Sequence, residues 1–256
     1  VTGVQTCALP ICAAFLAVCL TRPATAQNTA ADCAPRDGMT FICGLENAED
    51  LVPLGDSGWI VVSSFHGGPG NVPGFGPLSI VNSKSHAVVR LYPRDDAKAD
   101  WDRTHFPDCD MPPSNISSHG LDVRANGSGG FRVFAVNHGG RESIEIFDVT
   151  SPGANARVTW RGCLLVPKDV LANGVASLPG GRVVVSGQNV TIWSPRSGWR
   201  GYTPGVIKRA NGVIASPDGR WLYINGSDDY TVNLVATDGR MEDRKVLITS
   251  EFAHAD

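Results

Sequence analysis

Apolar positions along this chain cluster into short runs of β-branched and aromatic residues, separated by Gly, Pro, Asn and Asp, with almost no helical periodicity. Trp59 to Ser63, Leu78 to Val81 and Ala87 to Tyr92 read as a first group of strands. A second group comprises Gly120 to Val123, Phe131 to Val136, Ser143 to Phe147 and Ala156 to Trp160. The third takes Gly174 to Ser177, Arg182 to Ser186, Val190 to Trp193 and Trp199 to Tyr202. The fourth takes Gly212 to Ala215, Trp221 to Ile224, Thr231 to Val235 and Lys245 to Ile248. Two long Pro-bearing stretches, 65–77 and 94–118, interrupt the pattern and are expected to be loops on one face.

The groups begin alike. Glu49-Asp50-Leu51-Val52, His119-Gly120-Leu121-Asp122, Asn173-Gly174-Val175-Ala176 and Asn211-Gly212-Val213-Ile214 each lead through a turn into a β-branched run. Repeats of roughly 40 to 50 residues, each with several short strands, predict an all-β fold of the β-propeller type. The first position of each copy is polar: Glu49, His119, Asn173, Asn211. Such residues are expected to ring the mouth of the central channel.

Composition agrees with one large β domain: 256 residues, 29 Gly, 17 Pro and a net charge of −3. No basic cluster suggests nucleic acid, and no segment has the length of a membrane span. Residues 1–11 read as a sequencing-adapter artefact and 12–26 as the remnant of a signal peptide, its apolar run followed by Ala24-Thr25-Ala26. A buried N-terminal helix is the alternative for that run. Residues 27–256 are expected to be an incomplete propeller, truncated after about four blades, in a secreted or periplasmic protein. Cys33, Cys43, Cys109 and Cys163 are then disulfide candidates, not a zinc site, since no finger-like spacing links them. Cys109–Cys163 is the preferred pair, both expected in loops bracketing the second blade. Cys43 is expected to have lost its partner to truncation.

Gly55-Asp56-Ser57-Gly58 is read as a turn and not as a serine-protease motif, and His66-Gly-Gly-Pro-Gly70 lacks the strand–helix context of an oxyanion loop. The polar ring is harder to set aside. Glu49, Asn173 and Asn211 offer hard oxygen donors, and Asp256 falls about one blade interval after Asn211. Carboxylate and amide oxygens suit Ca²⁺, whereas zinc would call for more His or Cys. The competing reading is that Asn-Gly pairs start strands simply as turn residues. His119 and His138 form a second feature: adjacent antiparallel strands should bring both imidazoles to one rim, where they could relay a proton from water.

These residues, with Ser118-His119-Gly120, Val136-Asn137-His138 and Ala210-Asn211-Gly212-Val213 followed by Ser216-Pro217-Asp218-Gly219, resemble the serum paraoxonase/arylesterase family. That family shares its fold with the senescence-marker-protein/gluconolactonase superfamily. The resemblance runs from about Cys43 to the end. It implies a six-bladed propeller with Glu49, Asn173, Asn211 and Asp256 as ligands of a catalytic calcium, the Asn expected just after Asp256 lying past the last residue. It implies His119, backed by His138, as the base that activates water against a lactone or aryl ester. Asp50 and the carbonyl of Leu121 would belong to a second, structural calcium. That site also calls for an acid where this chain has Gly174, so it is not carried over complete.

The leading expectation is therefore a calcium-dependent lactonase or arylesterase acting on a small ester or lactone. The alternatives are a non-catalytic ligand- or protein-binding propeller and, more weakly, a propeller enzyme working without metal.

Overall fold

The computed structural model describes residues 33–66, 75–202, 207, 209–228, 230–238, 240 and 245–249. Residues 1–26, assigned above to an artefact and a signal, and Asp256 lie outside the described residues. Two compact units are distinguished, Val1–Phe41 and Ile42–Asp256. In the first, an isolated bridge joins Arg36 and Met39. All that follows concerns the second.

It is a β-propeller of four antiparallel blades, with no α-helix among the described residues. Blade one is β1 (Ala48–Pro53), β2 (Trp59–Ser64), β3 (Leu78–Asn82) and β4 (Val88–Tyr92). The two-residue strand β5 (Lys98–Ala99) then joins the outer edge of blade two, running parallel to its last strand. Blade two itself is β6 (Ser118–Ala125), β7 (Phe131–Asn137), β8 (Ser143–Thr150) and β9 (Arg157–Leu165). Blade three is β10 (Val175–Leu178), β11 (Arg182–Val185), β12 (Thr191–Ser194) and β13 (Gly198–Gly201). Blade four is β14 (Ala210–Ala215), β15 (Trp221–Gly226), β16 (Thr231–Ala236) and β17 (Lys245–Thr249). The first strand of each blade meets the first strand of the next: β1 against β6, β6 against β10, β10 against β14.

Period-2 alternation explains why these strands read as apolar runs. Val133 and Ala135 of β7 face blade one, packing with Val61, Ile80 and Leu91. Phe134 and Val136, one residue on, face blade three and pack with Val183 and Val185. Val184 turns the other way again, towards Leu222, Ile224 and Val235 of blade four. A central blade is buried on both faces, so the alternation of a one-sided sheet is replaced by continuous hydrophobicity.

The Cys109–Cys163 disulfide is present, with Cα atoms 5.5 Å apart. It pins the 94–117 insertion to β9, so Cys163 lies within a strand and not in a loop as expected. Cys43 is disulfide-bonded, as is Cys33, which corrects the expectation that Cys43 lacks a partner. Tyr92 fastens the same insertion, its hydroxyl donating to the carbonyl of Pro113 at 2.5 Å.

Inner strands approach closely where the repeats begin. Gly120 N–H donates to the carbonyl of Asn173 at 3.0 Å. A Cβ on Gly120 would stand 2.3 Å from that oxygen and 2.6 Å from Cα of Gly174. Both neighbours are backbone and cannot step aside. Gly120→Ala is therefore expected to cost about 2–3 kcal/mol as β6 and β10 are forced apart. Urea-denaturation midpoints would measure it, and an unchanged midpoint would refute so close an approach.

The Ser216-Pro217-Asp218-Gly219 turn joins β14 to β15. Ser216 Oγ, the Arg220 amide and the Arg220 guanidinium all donate to Asp218 and bring its carboxyl down to about 2. With the folded value depressed below the ordinary 3.8, the turn's contribution is complete above that value and fades as pH falls through about 2. A ¹³C titration of the Asp218 carboxyl should give that low midpoint. An ordinary midpoint would mean the three donors are not engaged.

Candidate functional site

One backbone device positions the polar ring. In β1, Ala48 pairs with Ser64 and Leu51 with Val62, so Glu49 and Asp50 together face Ser63. In β6, Ser118 pairs with Asn137 and Leu121 with Ala135, so His119 and Gly120 face Val136. In β14, Ala210 pairs with Gly226 and Val213 with Ile224, so Asn211 and Gly212 face Asn225. In blade three, Asn173 N–H donates to the Ser186 carbonyl at 2.8 Å and Ser186 N–H donates to the Gly174 carbonyl at 3.0 Å. Two residues again face one. Each copy of the repeat thus opens on a β-bulge, which re-aims its side chain relative to the regular pleat. His119 consequently lies inside β6, not ahead of it as the sequence suggested.

Serines lock two of these bulges. Ser63 Oγ accepts the Asp50 N–H at 2.8 Å, and Ser186 Oγ accepts the Gly174 N–H at 2.9 Å. Ser186 Oγ also donates to the Asn211 carbonyl, linking the Asn173 and Asn211 copies. A Cβ on Gly174 would meet Ser186 Oγ at 2.8 Å and the Asn211 carbonyl at 3.0 Å. The space an acidic side chain would need at that position is already filled.

A line of four ionisable side chains crosses the rim. Both carboxylate oxygens of Glu142 lie 2.8 and 2.9 Å from His138 Nδ1. His138 Nε2 is 3.0 Å from His119 Nδ1. His119 Nε2 is 3.2 Å from Glu49 Oε1, and Asn173 Nδ2 approaches it at 3.4 Å. Phe65 stacks on His119 with centroids 4.2 Å apart and an 8° interplanar angle. The expected pairing of His119 with His138 is thus present, and Glu49 and Asn173 converge on the nitrogen at its end. Asn211 lies in the neighbouring bulge of β14.

Glu142 and Phe65 were not singled out from the sequence. Glu142 carried a signal: a carboxylate four residues after His138, across the Gly139-Gly140 pair, is a tight-turn partner. Phe65, at the end of β2, carried none.

Asp50 is placed as a structural clamp. Its Oδ2 accepts the Leu121 N–H at 2.7 Å and its Oδ1 the Leu51 N–H at 2.7 Å. It thus meets Leu121 through the backbone amide. Burial pushes its carboxyl above the ordinary value, opposed by those two amides, with Glu49 adding to the rise and His119 reducing it.

Glu49 differs. Its Oε2 is buried and makes no hydrogen bond among the described residues. A buried carboxylate oxygen without a donor is a place for a cation. Among the described residues no three His, Cys, Asp or Glu side chains converge as a metal-holding group. A metal here would need amide oxygens, such as those of Asn173 and Asn211 in the neighbouring bulges, in addition to Glu49, and oxygen donors of that kind suit calcium.

No family model matches the chain, and no curated protein matches it. Among solved structures, a protein described as TolB of Agrobacterium tumefaciens is similar at 17% identity with a TM-score of 0.50, covering 81% of this chain and 64% of that one. A streptogramin B lyase is similar at 10% identity and TM-score 0.49, covering 80% of this chain and 56% of that one. A gluconolactonase from Xanthomonas campestris gives 14% identity and TM-score 0.46, covering 75% of this chain and 60% of that one. The chain thus spans 56% to 64% of the length of these three structures. The likeness to the TolB structure is one of fold alone.

Proposed function

We propose that this protein is an exported, calcium-dependent hydrolase of lactones or aryl esters. The observation that carries the reading is the hydrogen-bonded line from Glu142 through His138 to His119, ending beside a carboxylate with a buried oxygen that has no partner among the described residues. Glu49, Asn173 and Asn211 would hold the ion, and Asp256 is proposed as a further ligand. Bound there, calcium supplies Lewis-acid polarisation of the substrate carbonyl. His119 Nε2 takes the proton of the attacking water, and the water oxygen bonds to the carbonyl carbon as the ester C–O bond breaks. The leaving alkoxide or phenoxide carries the bond's electron pair and takes the proton held on His119 Nε2, which restores the base. Phe65, flat against His119, holds the ring plane and excludes water from one of its faces. The Cys109–Cys163 bridge supports an oxidising compartment.

The purified protein should hydrolyse phenyl acetate or a simple γ- or δ-lactone, lose that activity with chelator and regain it with calcium. Asn173→Ala and His119→Gln should each lower kcat by about a hundredfold or more. Activity indifferent to chelator would dismiss the calcium reading. Folded protein that binds calcium but turns over neither substrate would favour the binding propeller.

Calcium should also stabilise the fold by mass action, adding about 2.7 kcal/mol at a hundred times its Kd. Glu49→Gln should abolish most of the resulting shift in Tm. A shift that survives the substitution would put the ion elsewhere.

A further inference from the structure

Glu142 lies at the solvent end of the line, with its side chain 40% exposed against 11% for His138. Several features hold it there. Asn137, fully buried, accepts the N–H groups of Ser117 and Gly139 at 2.9 and 2.8 Å and donates to the carbonyls of Gly139 and Arg141. This folds the 138–142 turn back on itself. Gly139 lies so close to the preceding loop that a Cβ would stand 2.6 Å from the backbone of Ile116 and Ser117, and Gly140 takes a φ of +79°. Finally, the Glu142 carbonyl accepts the Val166 N–H at 3.0 Å. The turn is built to present Glu142 to His138.

The geometry points to Glu142 as the positioning residue that sets the tautomers of both histidines, a proposal that rests on the hydrolase reading for its catalytic consequence. An ionised carboxylate only accepts, so two oxygens on His138 Nδ1 place a proton there. His138 Nε2 is then a lone pair, and the ring nitrogen facing it, His119 Nδ1, must donate. His119 Nε2 is left bare and aimed at Glu49 and Asn173, which is the form a base requires. Remove the acceptor at Glu142 and the reverse arrangement becomes accessible, with Nε2 of His119 already protonated and idle. Glu142 touches neither substrate nor ion in this scheme; it acts through two rings, as an outer carboxylate orients an imidazole elsewhere.

Glu142→Leu and Glu142→Gln separate the acceptor from the charge, because the Gln carbonyl oxygen can still accept from Nδ1. Long-range ¹H–¹⁵N spectra should show His138 protonated at Nδ1 in the wild type and in E142Q, and a mixed or Nε2-protonated ring in E142L. With phenyl acetate, E142L should lower kcat roughly 10- to 100-fold at little-changed KM, and E142Q should recover most of the loss. The proposal is overturned if E142L keeps the wild-type His138 tautomer, or if E142Q loses as much kcat as E142L. A wild type that shows the Nδ1-protonated His138, lost in E142L, yet hydrolyses neither ester nor lactone would support the tautomer assignment and defeat the hydrolase reading instead.

Discussion

One extra residue at the start of each innermost strand is the constraint on which the site depends. In a regular antiparallel pair, neighbouring side chains alternate faces and pack into the blades on either side. A bulge breaks that alternation locally, so Glu49, His119, Asn173 and Asn211 leave the packing pattern together at equivalent places. The hydrophobic interior continues directly beyond them, with Leu121, Val175 and Val213 buried. The same backbone that seals the core therefore releases polar groups at its edge. Gly120 and Gly174 make this possible, because two bulged strands cannot lie this close with a Cβ between them.

Buried carboxylates elsewhere in the protein show what a satisfied acid looks like here. Glu145, fully buried, receives Arg141 at 2.7 and 3.0 Å, Ser143 Oγ at 2.6 Å and the Trp160 indole N–H at 2.8 Å. Asp122 receives the Ser177 N–H, the Ser177 hydroxyl and Arg124, joining blade two to blade three. Asp50 receives two backbone amides. In each, donors offset the desolvation of the charge. Glu49 has Oε1 near a histidine and Oε2 buried without a donor among the described residues, where its neighbours have donors. A carboxylate oxygen left so costs desolvation that its neighbours' donors offset, and this is the feature on which the proposed function rests.

Much of this was legible in the sequence. The four-blade grouping followed from short β-branched runs and the recurring polar-Gly openings, since both express local propensity and period. The bulges were not, because a bulge is defined by register against the partner strand, and no residue type announces it. Thus His119 was expected ahead of its strand and lies inside it. The Cys109–Cys163 pairing was anticipated, but Cys163 was expected in a loop because β9 continues past Trp160 through Arg161 and Gly162, polar and flexible residues that read as a strand's end. Phe65 and Glu142 belong to loops, where contacts depend on tertiary placement. The Asn-Gly pairs admitted a turn reading or a ligand reading, and close packing at Gly174 gives their glycine a structural reason independent of either.

A proton count along the rim links these features to chemistry. If Glu142 accepts from His138 and His138 accepts from His119, the last nitrogen, His119 Nε2, presents a lone pair to Glu49 Oε1 at 3.2 Å. Two lone pairs at that distance repel unless positive charge lies between or beside them. Asn173 Nδ2, at 3.4 Å, supplies part of a dipole but no charge. A proton on Nε2 would relieve the repulsion while consuming the base. A cation held by the other oxygen of Glu49 and the neighbouring amides would draw the carboxylate's charge away from the nitrogen and leave its lone pair available. On the proposed reading, an ion partnering that oxygen would also keep His119 competent, and metal and base would then work as one device.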